Sequence, residues 1–338
     1  MASPRQLSKP INKPALPALH HLSSWQGSSS LPSAVMETRF LILSDTHATA
    51  YTAPQQYADV ALHCGDLTEK STLDEFRSAI QLLEGVSAPI KLAIGGNHDF
   101  TLDTPLYKQR FDQASPAQQK YFKKEYGDVG EARRLLETAG ITLLDEGTHH
   151  FRLQNGASLS VYASPHTPIF GYWGFQYPRE QGHEFDITGA DVVMTHGPPR
   201  GILDETYRGN EAGCTNLFGA IAQARPKIHC FGHIHEAWGA KLVAWQDTNV
   251  ESSYSTSVDE KKSVIINSLK GSQGSEELMD ELKAHQHEGY YATSHCTGDP
   301  NPIQQGKQTL AINASIKGRG RHRFQLPWLV DIELPKTD

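Results

Sequence analysis

Short apolar runs of strand length recur along this chain, and polar residues follow each run at once. The runs span 38–43, 59–64, 90–94, 191–195 and 227–231. Apolar runs of this length, bounded by glycine and polar residues, predict buried β-strands. Helical patterns lie between several of them, so the chain predicts an α/β fold with these strands in its centre.

Apolar residues at helical spacing predict amphipathic helices between the strands. The first begins at Thr72 and Glu75, which have the spacing of a capping box. Two more are predicted over 131–139 and 214–224, and the polar stretch 101–130 predicts a loop and a helix.

Weaker strand patterns complete the predicted fold. Alternating polar and apolar residues over 141–144, 151–153 and 159–163 indicate a half-exposed antiparallel portion. Strand character returns over 309–316 and 328–334, so these two segments are expected to form the outer part of a sheet.

The polar residues that lower the hydrophobic content to 38% are concentrated at the ends of the chain and in one late insert. Residues 1–36, rich in Pro and Ser, predict a disordered tail, although their basic, acid-poor composition leaves a transit peptide open. Residues 37–338 are expected to form a single domain. The polar composition of the insert at about 246–307 predicts disorder, with a helix over 276–284, rather than a segment that covers a functional site.

Net charge, the length of the apolar runs and cysteine content argue against several classes of protein. A formal net charge of −7 argues against stable binding to duplex nucleic acid. The chain contains no run of about 18–20 apolar residues, so we expect no membrane span. Its four cysteines are widely spaced and form no C-x-x-C pair, which favours reduced thiols and a cytoplasmic location. Oligomeric state is left open.

Five strand ends deliver Asp, Asn or His, and this convergence is the strongest functional signal. Ligands of open α/β sheets bind beyond the carboxyl ends of the strands, so the five ends predict one shared site. The residues are Asp45 and His47, Asp66, Asn97 and His98, His196, and His233 and His235.

Each of these residues has a common structural role when it is considered alone. An aspartate after a buried strand, such as Asp66, is typical of a turn or a helix cap. A single buried histidine, such as His196, is typical of a hydrogen-bonded core residue. Only the five strand ends together favour a metal site.

The mixture of ligand types indicates which metals to expect. Alternate residues of an extended segment point the same way, so Asp45 and His47 can face one ion, as can His233 and His235. Imidazole nitrogen combined with carboxylate oxygen suits Mn²⁺, Fe²⁺ or Fe³⁺, and Zn²⁺ better than Ca²⁺ or Mg²⁺. The set contains no cysteine, which favours a catalytic over a structural zinc site.

The order of these motifs resembles the calcineurin-like metallophosphoesterase superfamily. Within it, the run from Phe170 to Phe175 and the segment 195–214 are similar to the metallophosphoesterase-domain-containing phosphodiesterase subgroup. The resemblance covers about 38–244 and the closing strands. Its motifs are Asp45-x-His47, Gly65-Asp66, Gly96-Asn97-His98-Asp99, Thr195-His196-Gly-Pro-Pro and Gly232-His233-x-His235.

The resemblance implies a four-layer sandwich of two mixed β-sheets flanked by helices, with two divalent metal ions at the strand ends. Asp66 would bridge both ions. His98 would stabilise or protonate the leaving oxygen, and Asp99 is grouped with it as a catalytic residue. The first ion would be held by Asp45, His47, Asp66 and His235, and the second by Asp66, Asn97, His196 and His233.

Two divalent ions about 3.5–4 Å apart share a bridging water and lower its pKa, so hydroxide attacks phosphorus in line. With the carboxylates of Asp45 and Asp66 and one hydroxide, the net charge is about +1, which a phosphodiester monoanion neutralises. We therefore predict a hydrolase of small phosphodiesters, with cyclic nucleotides as one substrate class. A phosphomonoesterase, a protein phosphatase and a weakly catalytic metal-binding scaffold are the alternatives.

Substrate contacts are less defined by the sequence. Tyr172, Trp173 and Phe175 either stack on a nucleobase or cover the core. Arg200 either approaches a substrate phosphate or is a solvated surface residue. His166 departs from the subgroup, which usually has an aromatic residue at this position.

Overall fold

Two β-sheets packed face to face form the centre of the molecule. The computed structural model describes residues 35–169, 171–247, 254–269, 288–318 and 324–337. The strands are β1 (Val35–Leu43), β2 (Val60–His63), β3 (Ile90–Ala93), β4 (Thr142–Leu143), β5 (Gly147–Arg152), β6 (Ser158–Ser164), β7 (Thr167–Pro168), β8 (Gln176–Tyr177), β9 (Val192–Thr195), β10 (Ile228–Phe231), β11 (Gly239–Ala244), β12 (Val264–Ser268), β13 (Tyr291–Ser294), β14 (Gln308–Asn313) and β15 (Trp328–Pro335).

The first sheet has six strands in the order β13-β15-β1-β2-β3-β4, and the second has seven in the order β12-β11-β14-β10-β9-β6-β5. Both are mixed: β1, β2, β3 and β4 are parallel, whereas β15 is antiparallel to β1. Strands β6, β9, β10 and β14 are parallel, whereas β5 and β11 are antiparallel to their neighbours. The helices are α1 (Leu73–Glu84), α2 (Thr104–Gln113), α3 (Pro116–Tyr126), α4 (Glu131–Thr138), α5 (Thr215–Ala224) and α6 (Tyr254–Ser257).

Both faces of the central strands are buried, which explains why these strands read as continuous apolar runs. In β1, Phe40 and Ile42 pack between the sheets, while Leu41 and Leu43 pack on the outer face. Helices α1 and α4 cover the outer face of the first sheet, and α5 covers that of the second through Phe218. The predicted four-layer sandwich is confirmed.

The helices predicted from 72, over 131–139 and over 214–224 lie where their patterns placed them. The capping box of Thr72 and Glu75 opens α1, as the spacing predicted. The polar stretch 101–130 contains two helices rather than one. Strand β11 was not predicted, because Lys241 interrupts its apolar run. In the structure the stem of this lysine is buried and its Nζ pairs with Glu260 at 2.8 Å.

The predicted tail and insert are partly outside the described residues. Strand β1 begins at Val35, so the last two residues of the predicted tail belong to the domain. Disorder is the wrong prediction for the described parts of the insert, since β12 and β13 each form the edge of a sheet. Backbone pairing supports these strands where side chains are largely exposed. The helix predicted over 276–284 lies outside the described residues.

Within the described ranges, none of the helices has the length and apolar character needed to cross a bilayer.

Candidate metal centre

Five strands bring their carboxyl ends to one region of the molecule. Strands β1, β2 and β3 are parallel neighbours in the first sheet, and β9 and β10 are parallel neighbours in the second. The loops that follow them carry all seven of the predicted ligands. The structure therefore gathers, from widely separated parts of the chain, the side chains that the strand-end pattern singled out.

Asp45, His47 and His235 form the first group of ligands. One ligand atom from each lies within 4.8 Å of the others. The Nε2 of His235 is 3.2 Å from Asp45 Oδ1 and 3.4 Å from the Nε2 of His47. Asp45 is fully buried and His47 is 5% exposed. This group matches the ligands that the family resemblance implies for one metal ion.

Asp66, His196 and His233 form the second group, with ligand atoms equally close. The Nδ1 of His196 donates to the Cys64 carbonyl at 2.9 Å, so its Nε2 is the atom available to a ligand. This Nε2 lies 3.0 Å from Asn97 Oδ1. The donors of this second group have the composition of a second metal site.

Asp66 faces both groups. Its Oδ1 is 3.4 Å from the Nε2 of His196, and its Oδ2 is 3.6 Å from the Nε2 of His47. Each carboxylate oxygen is thus directed to a different set of imidazoles. This arrangement suits a bridging ligand, the role that the family resemblance implies for Asp66.

The backbone that presents these residues is strained. Asp45, His47, Asp66 and His233 have φ values of 54°, 46°, 53° and 67°, a left-handed conformation that side chains with a Cβ rarely adopt. Such residues persist where the surrounding structure enforces them, and they cluster at functional sites.

Two glycines make the close approach possible. A Cβ at Gly96 would overlap Asp66 Oδ1, and a Cβ at Gly232 would overlap Asp45 Oδ2. Neither position has a positive φ, so the requirement here is space rather than backbone conformation. The glycines that open the two motifs therefore admit the carboxylates to the site.

The electrostatics of the site favour cations. Burial by itself would raise the pKa of Asp66, but His196 and His47 hold it well below its usual range. Burial would lower the pKa of His196, but the carboxylates of Asp66 and Asp45 outweigh it and raise the pKa to about 9. Two ionised carboxylates among imidazoles thus attract positive charge, and the donor set fits two divalent ions.

His98 lies at the edge of the two groups. Its Nδ1 donates to the Glu69 carbonyl at 2.7 Å, so its Nε2 is the nitrogen available for proton transfer. Its ring packs edge-on against His47 at 4.8 Å and lies against Trp173 at 4.1 Å between ring centroids. His98 also has a ligand atom within 4.8 Å of those of His47 and Asp66. The ring is therefore held beside the metal site.

Asp99 supports the loops beneath the site. Its carboxylate accepts hydrogen bonds from the backbone N–H groups of Leu67, Thr68 and Gly96 at 2.9–3.0 Å, and from the Thr68 hydroxyl at 2.6 Å. Burial and the nearby Asp66 raise the pKa of Asp99 to about 6. Because these bonds tie the loops after β2 and β3 together, we interpret Asp99 as a positioning residue.

Sequence reasoning missed Glu69. Its carboxylate lies 3.1 Å from Nδ1 of His47 and forms an ion pair with Lys317. A carboxylate on the second nitrogen of a metal-binding histidine fixes the ring and raises its basicity. Glu69 occupies no strand end, and Lys317 is distant in sequence, so no local pattern reveals this role.

The three residues predicted to contact the substrate have different surroundings in the structure. Tyr172 is 96% exposed, so the alternative that it covers the core is wrong. Trp173 contacts His98, which places it at the edge of the site. Arg200 lies on the surface with its Nε 3.4 Å from a Glu211 carboxylate oxygen, an arrangement that favours the solvated alternative.

A family model described as calcineurin-like phosphoesterase matches residues 38–237. The chain belongs to the calcineurin-like phosphoesterase family, as the order of its motifs predicted.

Two curated proteins show the extent of the similarity. Metallophosphoesterase domain-containing protein 1 of Homo sapiens is 33% identical over 212 residues, 60% of this chain and 62% of that protein. The probable rhamnogalacturonate lyase C of Emericella nidulans is 30% identical over 226 residues, 65% of this chain and 19% of that protein. The chain therefore spans less than two thirds of either relative. Among solved structures, TT1561 of Thermus thermophilus matches with a TM-score of 0.35 and 12% identity, over 61% of this chain and 84% of that one.

Proposed function

We propose that this protein is a dinuclear metal-dependent hydrolase that cleaves phosphodiester bonds in small molecules, with cyclic nucleotides as the leading substrate class. The observation that supports it most is the position of Asp66 between two groups of metal ligands, with His98 beside them. Membership of the phosphoesterase family supports hydrolysis of a phosphate ester. The diester is the more specific part of the proposal.

The residues of the site fit two divalent ions, with Mn²⁺, iron or Zn²⁺ as the candidates. Asp45, His47 and His235 would hold one, Asn97, His196 and His233 the other, and Asp66 both. When bound, the two ions supply Lewis acidity at the phosphate and lower the pKa of a water molecule that acts as nucleophile.

His98 is the group that we assign to the leaving oxygen. The Glu69 carbonyl accepts the proton of its Nδ1, so Nε2 is the nitrogen that would carry the second proton of the imidazolium form and pass it to the leaving oxygen. A histidine is suited to this task because its reference pKa lies near neutral pH. Trp173 packs against the ring and limits its rotation. The same contact keeps water from that face of the imidazole.

Features at the edge of the site support a small substrate. A cavity of about 230 Å³, of the size of a small organic group, borders the ligand His233 and is also lined by Ile169, Arg179 and Pro198. Tyr172 and Trp173 offer aromatic faces for a nucleobase. Two dications, the carboxylates of Asp45 and Asp66 and one hydroxide leave a net charge of about +1, which favours a monoanionic diester over a dianionic monoester.

We place the enzyme in the cytoplasm, acting on a small phosphodiester rather than on duplex nucleic acid or a membrane. All four cysteines lie in the described part of the chain, and they are free and buried. Reduced thiols support a reducing compartment. The net charge of −7 supports a partner other than duplex nucleic acid.

The proposal is tested by comparing bis-p-nitrophenyl phosphate with p-nitrophenyl phosphate, using the full chain with added Mn²⁺ and measuring bound metal in the same samples. We expect faster turnover of the diester, and hydrolysis of at least one cyclic nucleotide. A clear preference for the monoester would replace the proposal with a phosphomonoesterase. Bound metal without turnover of any ester would support the scaffold alternative.

A further inference from the structure

Glu146, His166 and His183 form a separate group of metal-ligating side chains outside the dinuclear centre. One ligand atom from each lies within 4.8 Å of the others. The Nε2 of His183 is 2.7 Å from Glu146 Oε1, and the Nδ1 of His166 is 3.4 Å from Glu146 Oε2. We propose that these three residues bind a third metal ion, and that this ion is Zn²⁺.

The donor set is the reason for choosing zinc. Two imidazole nitrogens and one carboxylate oxygen are a known zinc ligand set, with the fourth position left to water. The side chains of Glu146, His166 and His183 are 29%, 30% and 21% exposed, so solvent can reach the group and supply that water. A single carboxylate with two neutral imidazoles would leave a bound Zn²⁺ with a net charge of about +1.

The carboxylate of the group is held in place before any metal arrives. Ser164 Oγ donates to Glu146 Oε1 at 2.7 Å, and the Tyr162 hydroxyl donates to the same oxygen at 3.3 Å. The Glu146 carboxylate is therefore oriented by neighbouring hydroxyl groups, as the carboxylate ligands of metal sites commonly are.

The histidines are positioned by aromatic stacking. Their two rings stack at 4.6 Å between centroids, and Tyr177 stacks on His183 at 5.0 Å. The Nδ1 of His166 is a buried atom that has no hydrogen-bond partner among the described residues, since its approach to Glu146 lacks hydrogen-bond geometry. A metal would satisfy this nitrogen, whereas a hydrogen-bonded cluster without metal leaves it unsatisfied.

The group is distinct from the dinuclear centre. None of its three residues is among the ligands assigned there. The ring of Phe175 packs edge-on against His166 at 6.0 Å and also contacts Gly95, the residue before the glycine that admits Asp66. The two sites are thus neighbours that share a packing contact but no ligand.

A third ion would act on the segment that carries the aromatic residues at the site edge. His166 and His183 flank the segment 167–182, which contains Tyr172 and Trp173. Joining the two ends of a loop reduces the entropy lost when the loop adopts one conformation. The ion would therefore hold Trp173 against His98 without contacting the substrate.

The third site is tested by metal analysis of the full chain in an Asp66→Asn background, which weakens the dinuclear centre equally in every sample. Protein carrying Asp66→Asn alone is compared with double variants that add His166→Phe, Glu146→Gln or His150→Phe. Phenylalanine at 166 keeps the stacking on His183, and glutamine at 146 can still accept from Ser164. His150 is an exposed histidine of β5 and serves as the matched control.

After equilibration with Zn²⁺ and desalting, we expect His166→Phe and Glu146→Gln each to lose about one zinc per chain, and His150→Phe to lose none. Circular dichroism identifies any variant that does not fold, and the other substitution then decides. Equal zinc content in all folded samples would overturn the proposal and leave a hydrogen-bonded His–Glu–His cluster. Because no activity is measured, the result is independent of the proposed hydrolase function.

Discussion

The proposed dinuclear centre and the Glu146 group combine the same types of side chain but are built in different ways. The centre takes its ligands from the ends of buried parallel strands, and Asp45, Asp66 and His196 are at most 2% exposed. The Glu146 group takes its ligands from a turn and two loops, and each side chain is between a fifth and a third exposed. The strand ends fix the positions of the side chains in the centre. The side chains of the Glu146 group are instead positioned by aromatic stacking and by their contacts with one another.

The backbone shows the same difference. Four of the centre's ligands have positive φ values, and two of its glycines leave room only for a neighbouring carboxylate. Glu146, His166 and His183, which all lie in the described part of the chain, have no positive φ values. Strain of this kind needs a rigid surrounding structure, and the two sheets provide it. We therefore expect substitutions at the centre to have the larger effects.

Asp66→Asn should have the largest effect, because both groups of ligands share this carboxylate. We expect both metals to bind more weakly and hydrolysis to fall by at least about 10³-fold. Metal analysis and turnover of the diester measure the two effects. Asp74→Asn, an exposed aspartate of α1, is the matched control and should change neither. Loss of only one metal would show that Asp66 is not the bridge.

His98→Ala should lower turnover by about 10²–10⁴-fold, the usual contribution of a general acid. Metal content should be unchanged, since we assign His98 to the leaving oxygen rather than to a metal. Turnover and metal content are measured on the same sample. A parallel loss of metal would instead make His98 a ligand, an outcome that its proximity to His47 and Asp66 allows.

Glu69→Gln tests whether a residue that contacts a proposed metal ligand, but is not itself a ligand, contributes to metal binding at the dinuclear centre. Removing the carboxylate beside His47 Nδ1 should weaken metal binding by about 10–100-fold. Titration with a metal chelator measures the change. Lys317→Gln removes the ion-pair partner but keeps the carboxylate, so its effect should be smaller. Equal effects of the two variants would mean that the ion pair, not the contact with His47, is important.

The smallest expected effect is a pH dependence of folding stability that arises from a histidine in the second sheet. His229 in β10 is fully buried, its Nε2 lies 2.9 Å from Thr195 Oγ1, and burial lowers its pKa to about 3. The unfolded chain binds a proton there below about pH 6.5, whereas the folded chain does not until about pH 3, so stability falls as pH decreases through this range.

His229 should therefore make the unfolding free energy of the native chain about 2 kcal/mol lower at pH 5 than at pH 7. The His229→Gln variant should lack this contribution to the pH dependence. Urea denaturation at both pH values measures it. His150→Gln, at an exposed position of β5, is expected to leave the pH dependence unchanged. If the His229 variant and the native chain lose equal stability, the histidine is not neutral in the folded state.

Local patterns predicted much of the fold because both of its sheets are covered. Residues 38–43 read as a strand from their composition, and the capping box of Thr72 identified the start of α1. Strand β11 was missed, because a lysine whose charge is neutralised by Glu260 looks polar in the sequence. Disorder is the wrong prediction for the described parts of the insert for a related reason: edge strands such as β12 are stabilised by backbone pairing, which amino-acid composition does not record.

The sequence by itself singled out the residues of the candidate metal centre, because parallel strands must deliver their carboxyl ends to a common edge and the motifs follow those strands in order. Only the tertiary structure decided how Asp66 divides its oxygens between two groups, and that Asp99 and Glu69 support the loops and His47. It alone brought Glu146, His166 and His183 together. These contacts lie in loops beyond the paired strands, where the packing of side chains from the whole chain sets the distances.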